Sequence, residues 1–293
     1  MDTNNVIIIG SGPAGVSAAL YTARAGIKTV IIGKADGGAL AKAKEIENYY
    51  GFPAPISGPD LLRDGITQAQ RIGVEVIDQE VVSIEEAESG FVVHTAENDG
   101  FAGKVVVLAT GASRAKPKWP GIDTFDGMGI SYCAVCDGFF FRGKDVAVAG
   151  SGPYALHEAQ VLLPIAGSVT LCTDGKPLSA DFPPEIKIAD QPVACLEGGS
   201  ALSRIRFKDG TALQLSCLFV AIGTAGSSEL ANKIGADIRG SDIAADGDMC
   251  TNIPGLLAAG DCTGGLKQIA KAVYEGAAAG MKAIRIIREG QQR

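Results

Sequence analysis

Histidine and charge are both scarce in this 293-residue chain: His94 and His157 are the only imidazoles, and Asp, Glu, Lys and Arg make up 20% of the residues. Two distant histidines do not build a His-rich metal centre, and no second Cys or His pair stands where a zinc site needs one, so no metal is expected. With 46% hydrophobic residues, the sparse charge also excludes a disordered chain. A formal net charge of −7 argues against a general nucleic-acid binder. Met1-Asp2-Thr3-Asn4-Asn5 has no basic leader region, and the apolar run that follows is broken by glycine, proline and Arg24, so neither a signal peptide nor a membrane span is expected. Five cysteines are scattered singly (Cys172, Cys195, Cys217, Cys250, Cys262) and read as small buried hydrophobes in a reducing, cytoplasmic compartment.

The remaining two cysteines are spaced for chemistry. Cys133-Ala134-Val135-Cys136-Asp137-Gly138 places two thiols so that one can attack an external disulfide while the other resolves the mixed disulfide. Half a zinc site or a chance pair are the bland readings. Asp137 beside Cys136 suits a proton donor or acceptor for the thiols, and equally suits an Asp-Gly turn.

Two glycine-rich turns follow buried strands. Val6-Ile7-Ile8-Ile9 leads into Gly10-Ser11-Gly12-Pro13-Ala14-Gly15 and an apolar helix to Ala25, the pattern that cradles a dinucleotide pyrophosphate. Gly33 ends the next strand, where an acid usually holds a ribose. Asp145-Val146-Ala147-Val148-Ala149 leads into a second turn, Gly150-Ser151-Gly152-Pro153-Tyr154-Ala155, and a helix through Leu163. Lys104 to Leu108 reads as another buried strand, running into Ala109-Thr110-Gly111-Ala112. Gly255 to Asp261 reads as a strand ending in an acid that can bond a polyhydroxylated chain.

With these pieces together, the sequence resembles the low-molecular-weight thioredoxin reductase family nearly end to end. The matching stretches are Gly10 to Gly15, Gly37-Gly38-Ala39-Leu40, Glu45 to Tyr49, Ala109-Thr110-Gly111, Cys133 to Phe140, Phe219 to Gly223, and Gly260-Asp261 with Gln268 and Ala272. The resemblance implies an α/β fold of two Rossmann-like domains. Residues 1–116 and 225–293 would form a discontinuous FAD-binding domain, and residues 117–224 an inserted, degenerate NAD(P)-type domain carrying the dithiol. It further implies that Gly10, Gly12, Pro13, Ala14, Gly15, Gly38, Ala39, Leu40, Asn48, Thr110, Gly111, Gly260, Asp261, Gln268 and Ile269 bind FAD. Asp261 would hold the ribityl chain, and Gln268 and Ile269 would lie near the ring. Cys136 would face the flavin, Cys133 would attack thioredoxin and Asp137 would move the proton. A homodimer is implied as well. Ala39 stands where the family usually has glutamine.

The pattern breaks at the second nucleotide site. NADPH-dependent relatives carry a basic cluster after the strand at 169–171, whereas Cys172-Thr173-Asp174-Gly175-Lys176 stands here, and an acid there repels a 2′-phosphate. Asp174 lies about 20 residues beyond the turn, the place of an NAD ribose ligand. Against that, Pro153 and Tyr154 stiffen and crowd the turn, and residues 176–218 show no helix pattern. The expectation is therefore a platform for the dithiol in an enzyme of the ferredoxin-dependent flavin thioredoxin reductase type. Lys267, Lys271, Lys282, Arg285, Arg288 and Arg293 form a candidate stripe for an acidic ferredoxin, or simply a solvated face. The alternatives are an NADH-dependent reductase, a flavin dithiol oxidase that passes electrons to oxygen, and a non-enzymatic redox sensor.

Overall fold

The computed structural model describes residues 3–34, 38–111, 117–223 and 226–290. Met1, Asp2, Gly37, Ala112 and Arg293, named above, lie outside them. The chain divides into two compact units, Met1–Ser113 with Gly226–Arg293, and Arg114–Ala225.

The first unit is built on a seven-stranded sheet. Thr3–Ile9 pairs in parallel with Thr29–Ile32 on one side and Gly100–Leu108 on the other, and Leu256–Ala258 adds in parallel to Gly100–Leu108. Glu75–Ile77 extends the parallel edge, whereas Gly90–Thr95 and Val81–Ala87 form an antiparallel extension. Continuous β-branched runs suit strands covered on both faces, and Val6, Ile7 and Ile8 are completely buried. Helix α1 (Pro13–Arg24) has proline in its first turn, where the missing N–H costs nothing. It packs against the C-terminal helix Ile269–Gly290, and glycine makes the approach possible. A Cβ at Gly276 would stand 2.1 Å from the Ala14 carbonyl oxygen, and one at Gly280 would stand 2.8 Å from that of Ala18.

The second unit has an all-parallel five-stranded sheet in the order Lys187–Ala189, Ser168–Cys172, Asp145–Ala149, Cys217–Val220, Ile130–Ser131. Val193–Gly198, Leu202–Phe207 and Ala212–Gln214 add an antiparallel sheet. These strands fill the stretch in which no helix pattern was readable. The core of this unit gathers Trp119, Ile130, Ala147, Leu196, Ile205 and Leu218. Among the described residues no helix is long and apolar enough to cross a membrane, and no cluster of three or more potential metal ligands forms.

Candidate active site

In the first unit three parallel strands end together, because Ile9 and Ala258 both stand in register with Leu108. Gly10, Ala109 to Gly111, and Ala259 to Asp261 thus leave one sheet edge, where open α/β sheets bind ligands. Each glycine of the turn has its own physical reason. A Cβ at Gly10 would meet the Ala109 carbonyl oxygen at 2.3 Å, and one at Gly15 would meet the Gly10 carbonyl oxygen at 1.9 Å. A Cβ at Gly12 would meet nothing within 4 Å, which leaves open space over the N-terminus of α1. Gly33, where an acid was missing, is a close approach: its Cβ would lie 3.0 Å from the Gly10 Cα.

The other residues expected here take these places. Thr110 is held by Ser227, which accepts its N–H at 3.1 Å and lies 2.6 Å from its hydroxyl. Asn48 donates its amide to Gln268 Oε1 at 3.0 Å, joining two expected ligands 220 residues apart. Gln268 and Ile269 stand at the start of the C-terminal helix, Ala39 precedes the short 3₁₀ turn Leu40–Lys42, and Gly38 faces open space. Asp261 stands on a 3₁₀ turn, Asp261–Thr263, three residues beyond the strand that was expected to carry it. Cys262 beside it is buried against the Ala259 and Leu108 carbonyls, and burial pushes its thiol up to about 12.

In the second unit Cys133 and Cys136 form a disulfide. Cys133 caps the short helix Ala134–Asp137, with Sγ accepting the Cys136 N–H at 3.1 Å. Cys133 is 3% exposed, whereas Cys136 is exposed. Asp137 is helical, not the corner of a turn: the chain continues through Gly138, φ −55°, into the 3₁₀ turn Gly138–Phe141. Its carboxylate accepts from Ser131 Oγ at 2.7 Å, and that hydroxyl accepts the Cys133 N–H at 3.1 Å. From the helix Pro153–Leu162, the buried Glu158 accepts the Ala134 N–H at 2.8 Å. A Cβ at Gly138 would lie 3.1 Å from Leu162 Cδ2, so the same helix supports both ends of the dithiol segment. Ser131, Ser227 and Glu158 were missed by sequence reasoning; no motif marks them, and only the fold brings them to these partners.

The second glycine turn differs from the first. Gly150 repeats the close approach of Gly10, since its Cβ would meet the Ala221 carbonyl oxygen at 2.4 Å. Over Gly152, however, the chain comes back: Ser179 donates its N–H to the Ser151 carbonyl at 2.8 Å, and a Cβ at Gly152 would lie 3.0 Å from Ser179 Oγ. Asp174 is engaged within the unit, one carboxylate oxygen accepting from Trp119 Nε1 at 3.1 Å and the other from the Val193 N–H at 2.7 Å.

The cationic stripe does not assemble as expected. Lys271 is turned inward to Glu275, and Lys282 and Arg285 share Asp248. Lys267 and Arg288 remain exposed.

The sequence profile of the pyridine nucleotide-disulphide oxidoreductase family matches residues 4–191 and 185–276. The thioredoxin reductase of Streptomyces clavuligerus is 37% identical over 277 residues, which cover 89% of this chain and 86% of that one. The chain is a member of the thioredoxin reductase family. Among solved structures similar to this family member is the atypical thioredoxin reductase TRi from Desulfovibrio vulgaris Hildenborough, at TM-score 0.90 and 42% identity with 98% of both chains covered. A ferredoxin-flavin thioredoxin reductase from Clostridium acetobutylicum superimposes at TM-score 0.74 and 29% identity, covering 98% of this chain and 99% of that one.

FAD is the cofactor of these thioredoxin reductases. The first turn fits it: the space over Gly12 leaves room for a pyrophosphate at a helix N-terminus, and Asp261 leaves the same sheet edge. The second turn has Ser179 seated on it.

Proposed function

We propose that this thioredoxin reductase takes its electrons from reduced ferredoxin rather than from a pyridine nucleotide, and delivers them to thioredoxin through Cys133 and Cys136. The observation that carries the reading is the seat of Ser179 on the Ser151 carbonyl, over the turn that a pyrophosphate would need open. Asp174 supports it, because both of its oxygens already accept bonds and an acid there repels a 2′-phosphate. The likeness to the ferredoxin-flavin enzyme supports the choice of donor.

In this reading Gly10, Gly12, Pro13, Ala14, Gly15, Gly38, Ala39, Leu40, Asn48, Thr110, Gly111, Gly260, Asp261, Gln268 and Ile269 hold FAD. Bound there, FAD would supply the means to convert single electrons into a pair, for which the Cys133–Cys136 disulfide would be the acceptor. The rest is thiol chemistry. Cys133, buried in the disulfide form, has to be uncovered once the disulfide is reduced; as thiolate it then attacks the thioredoxin disulfide, expelling one acceptor thiolate and forming a mixed disulfide. Cys136 then attacks Cys133 Sγ, which releases the second acceptor thiolate and restores the Cys133–Cys136 disulfide. Asp137, fixed by Ser131, moves the protons that keep one sulfur nucleophilic while the other leaves.

The test is anaerobic mixing of the FAD-loaded protein with NADPH, NADH or reduced ferredoxin, followed by flavin absorbance. Bleaching by ferredoxin alone is expected. Rapid bleaching by either nucleotide overturns the reading. Oxygen consumption with a small dithiol would instead identify an oxidase.

A further inference from the structure

Beneath the Gly260-Asp261 turn lies an ion pair to which neither the sequence motifs nor the dithiol chemistry assigns a task. Lys271 and Glu275 stand one helical turn apart, 2.9 Å from each other, with side chains 15% and 12% exposed. Each grips the same residue. Glu275 Oε2 accepts the Gly260 N–H at 2.8 Å, and Lys271 Nζ donates to the Gly260 carbonyl at 2.8 Å. Thr263 Oγ1 lies between them, accepting from Lys271 at 2.9 Å and standing 2.8 Å from Glu275 Oε2.

The gripped residue is conformationally unusual. Gly260 has φ 89° and ψ −152°, a region open essentially to glycine alone. A Cβ there would also meet Ala14 Cβ at 2.9 Å, at the start of α1. Rotating either peptide flanking Gly260 would break a charge-assisted bond and leave a largely buried charge without its partner. Burying an ion pair is a poor way to gain stability, since a hydrophobic pair of similar volume usually does as well or better. What a hydrophobic pair cannot do is hold the N–H and the C=O of one residue in fixed directions.

We propose that Lys271 and Glu275 are a positioning pair for the cofactor: they lock Gly260 so that the Asp261 carboxylate, the next residue, is presented to the hydroxylated chain of FAD. This rests on reading Asp261 as an FAD ligand. Lys271 accordingly belongs to the cofactor site and not to a docking face.

The experiment is a double-mutant cycle in FAD affinity, measured by titrating FAD into the apoprotein. Lys271→Met weakens binding about tenfold in the wild-type background and less than about twofold in Asp261→Asn, because the pair acts through that carboxylate. Lys271→Met with Glu275→Leu restores the apoprotein melting temperature but not the FAD affinity, which separates positioning from mere folding and provides a folded variant should the single change misfold. Unchanged affinity in the Lys271→Met protein, or an equal loss in both backgrounds, overturns the positioning role. Asp261→Asn binding FAD as tightly as wild type overturns the reading of Asp261 and with it the purpose given to the pair.

Discussion

Asp137 and Cys133 are joined through one hydroxyl: Ser131 Oγ donates to the Asp137 carboxylate at 2.7 Å and accepts the Cys133 backbone N–H at 3.1 Å. The carboxylate is thereby fixed beside the dithiol rather than left to swing in solvent. Asp137→Asn keeps the shape and removes the proton acceptor proposed above, so the single-turnover rate of thioredoxin reduction by the reduced protein is expected to fall about a hundredfold. Ser131→Ala, which leaves the carboxylate in place but untethered, gives a smaller loss. Stopped-flow measurement of both variants checks this, and equal rates for Asp137→Asn and wild type would remove Asp137 from the mechanism.

Burial pushes the thiols of Cys172, Cys217 and Cys262 up to about 12, with the nearby acids Asp174 and Asp137 adding to the rise for the first two. At pH 8 a thiol of that kind is ionised to about one part in ten thousand, and the thiolate is the reactive form. Maleimide treatment of the native, oxidised protein therefore labels Cys195 and Cys250, which are half-buried, and reaches the other three only after denaturation. Peptide mapping by mass spectrometry reads the outcome directly.

Glu197 is held at about 2, chiefly by its hydrogen bond to Arg206, with Arg204 adding to it. Its folded-state value is depressed, so the stability it contributes is fully present above its ordinary carboxylate range and fades as pH falls toward about 2. The melting-temperature gap between wild type and Glu197→Gln is thus largest at neutral pH, narrows below about pH 4.5 and closes near pH 2. A gap that stays constant across that range would mean that packing, not charge, is what the substitution disturbs.

How much of this was readable in the sequence depended on whether a residue's task is local. The glycine turns were legible because a strand, a tight turn and a helix follow one another along the chain, and the structure supplies the close contacts behind Gly10, Gly15 and Gly150 and the open space at Gly12. Lys271 and Glu275 were not, because an i,i+4 pair of opposite charge looks the same whether it faces solvent or clamps a peptide 11 to 15 residues away. Ser179 carries no motif at all; its role comes from the path of the chain back to residue 151. Gly33 reads as a missing ribose ligand in sequence and as a backbone contact in space. Asp261 was read as the end of a strand, whereas the strand Leu256–Ala258 ends three residues before it.

Asp174 ties parts of the second unit together, joining Trp119, which precedes the strand Ile130–Ser131, to Val193 at the start of the strand Val193–Gly198. Asp174→Ala leaves a backbone N–H and an indole N–H without their acceptor and costs about 1–3 kcal/mol. Because Trp119 is the single tryptophan of the chain, its fluorescence during urea unfolding follows this unit alone. A lower midpoint for Asp174→Ala, with no gain in NADH binding, is expected.

The shorter bond between Ser179 and Ser151 joins main chain to main chain, with the Ser179 hydroxyl adding a second at 3.3 Å, and that limits how this domain can be re-engineered. Grafting arginines around residues 172–176 would supply charge for a 2′-phosphate yet leave the turn covered, since no side-chain exchange removes a backbone N–H except proline. On the proposed reading, conversion to nicotinamide use requires rerouting the loop first and changing its chemistry second. Substitutions accumulated in the opposite order would be neutral until the loop moved.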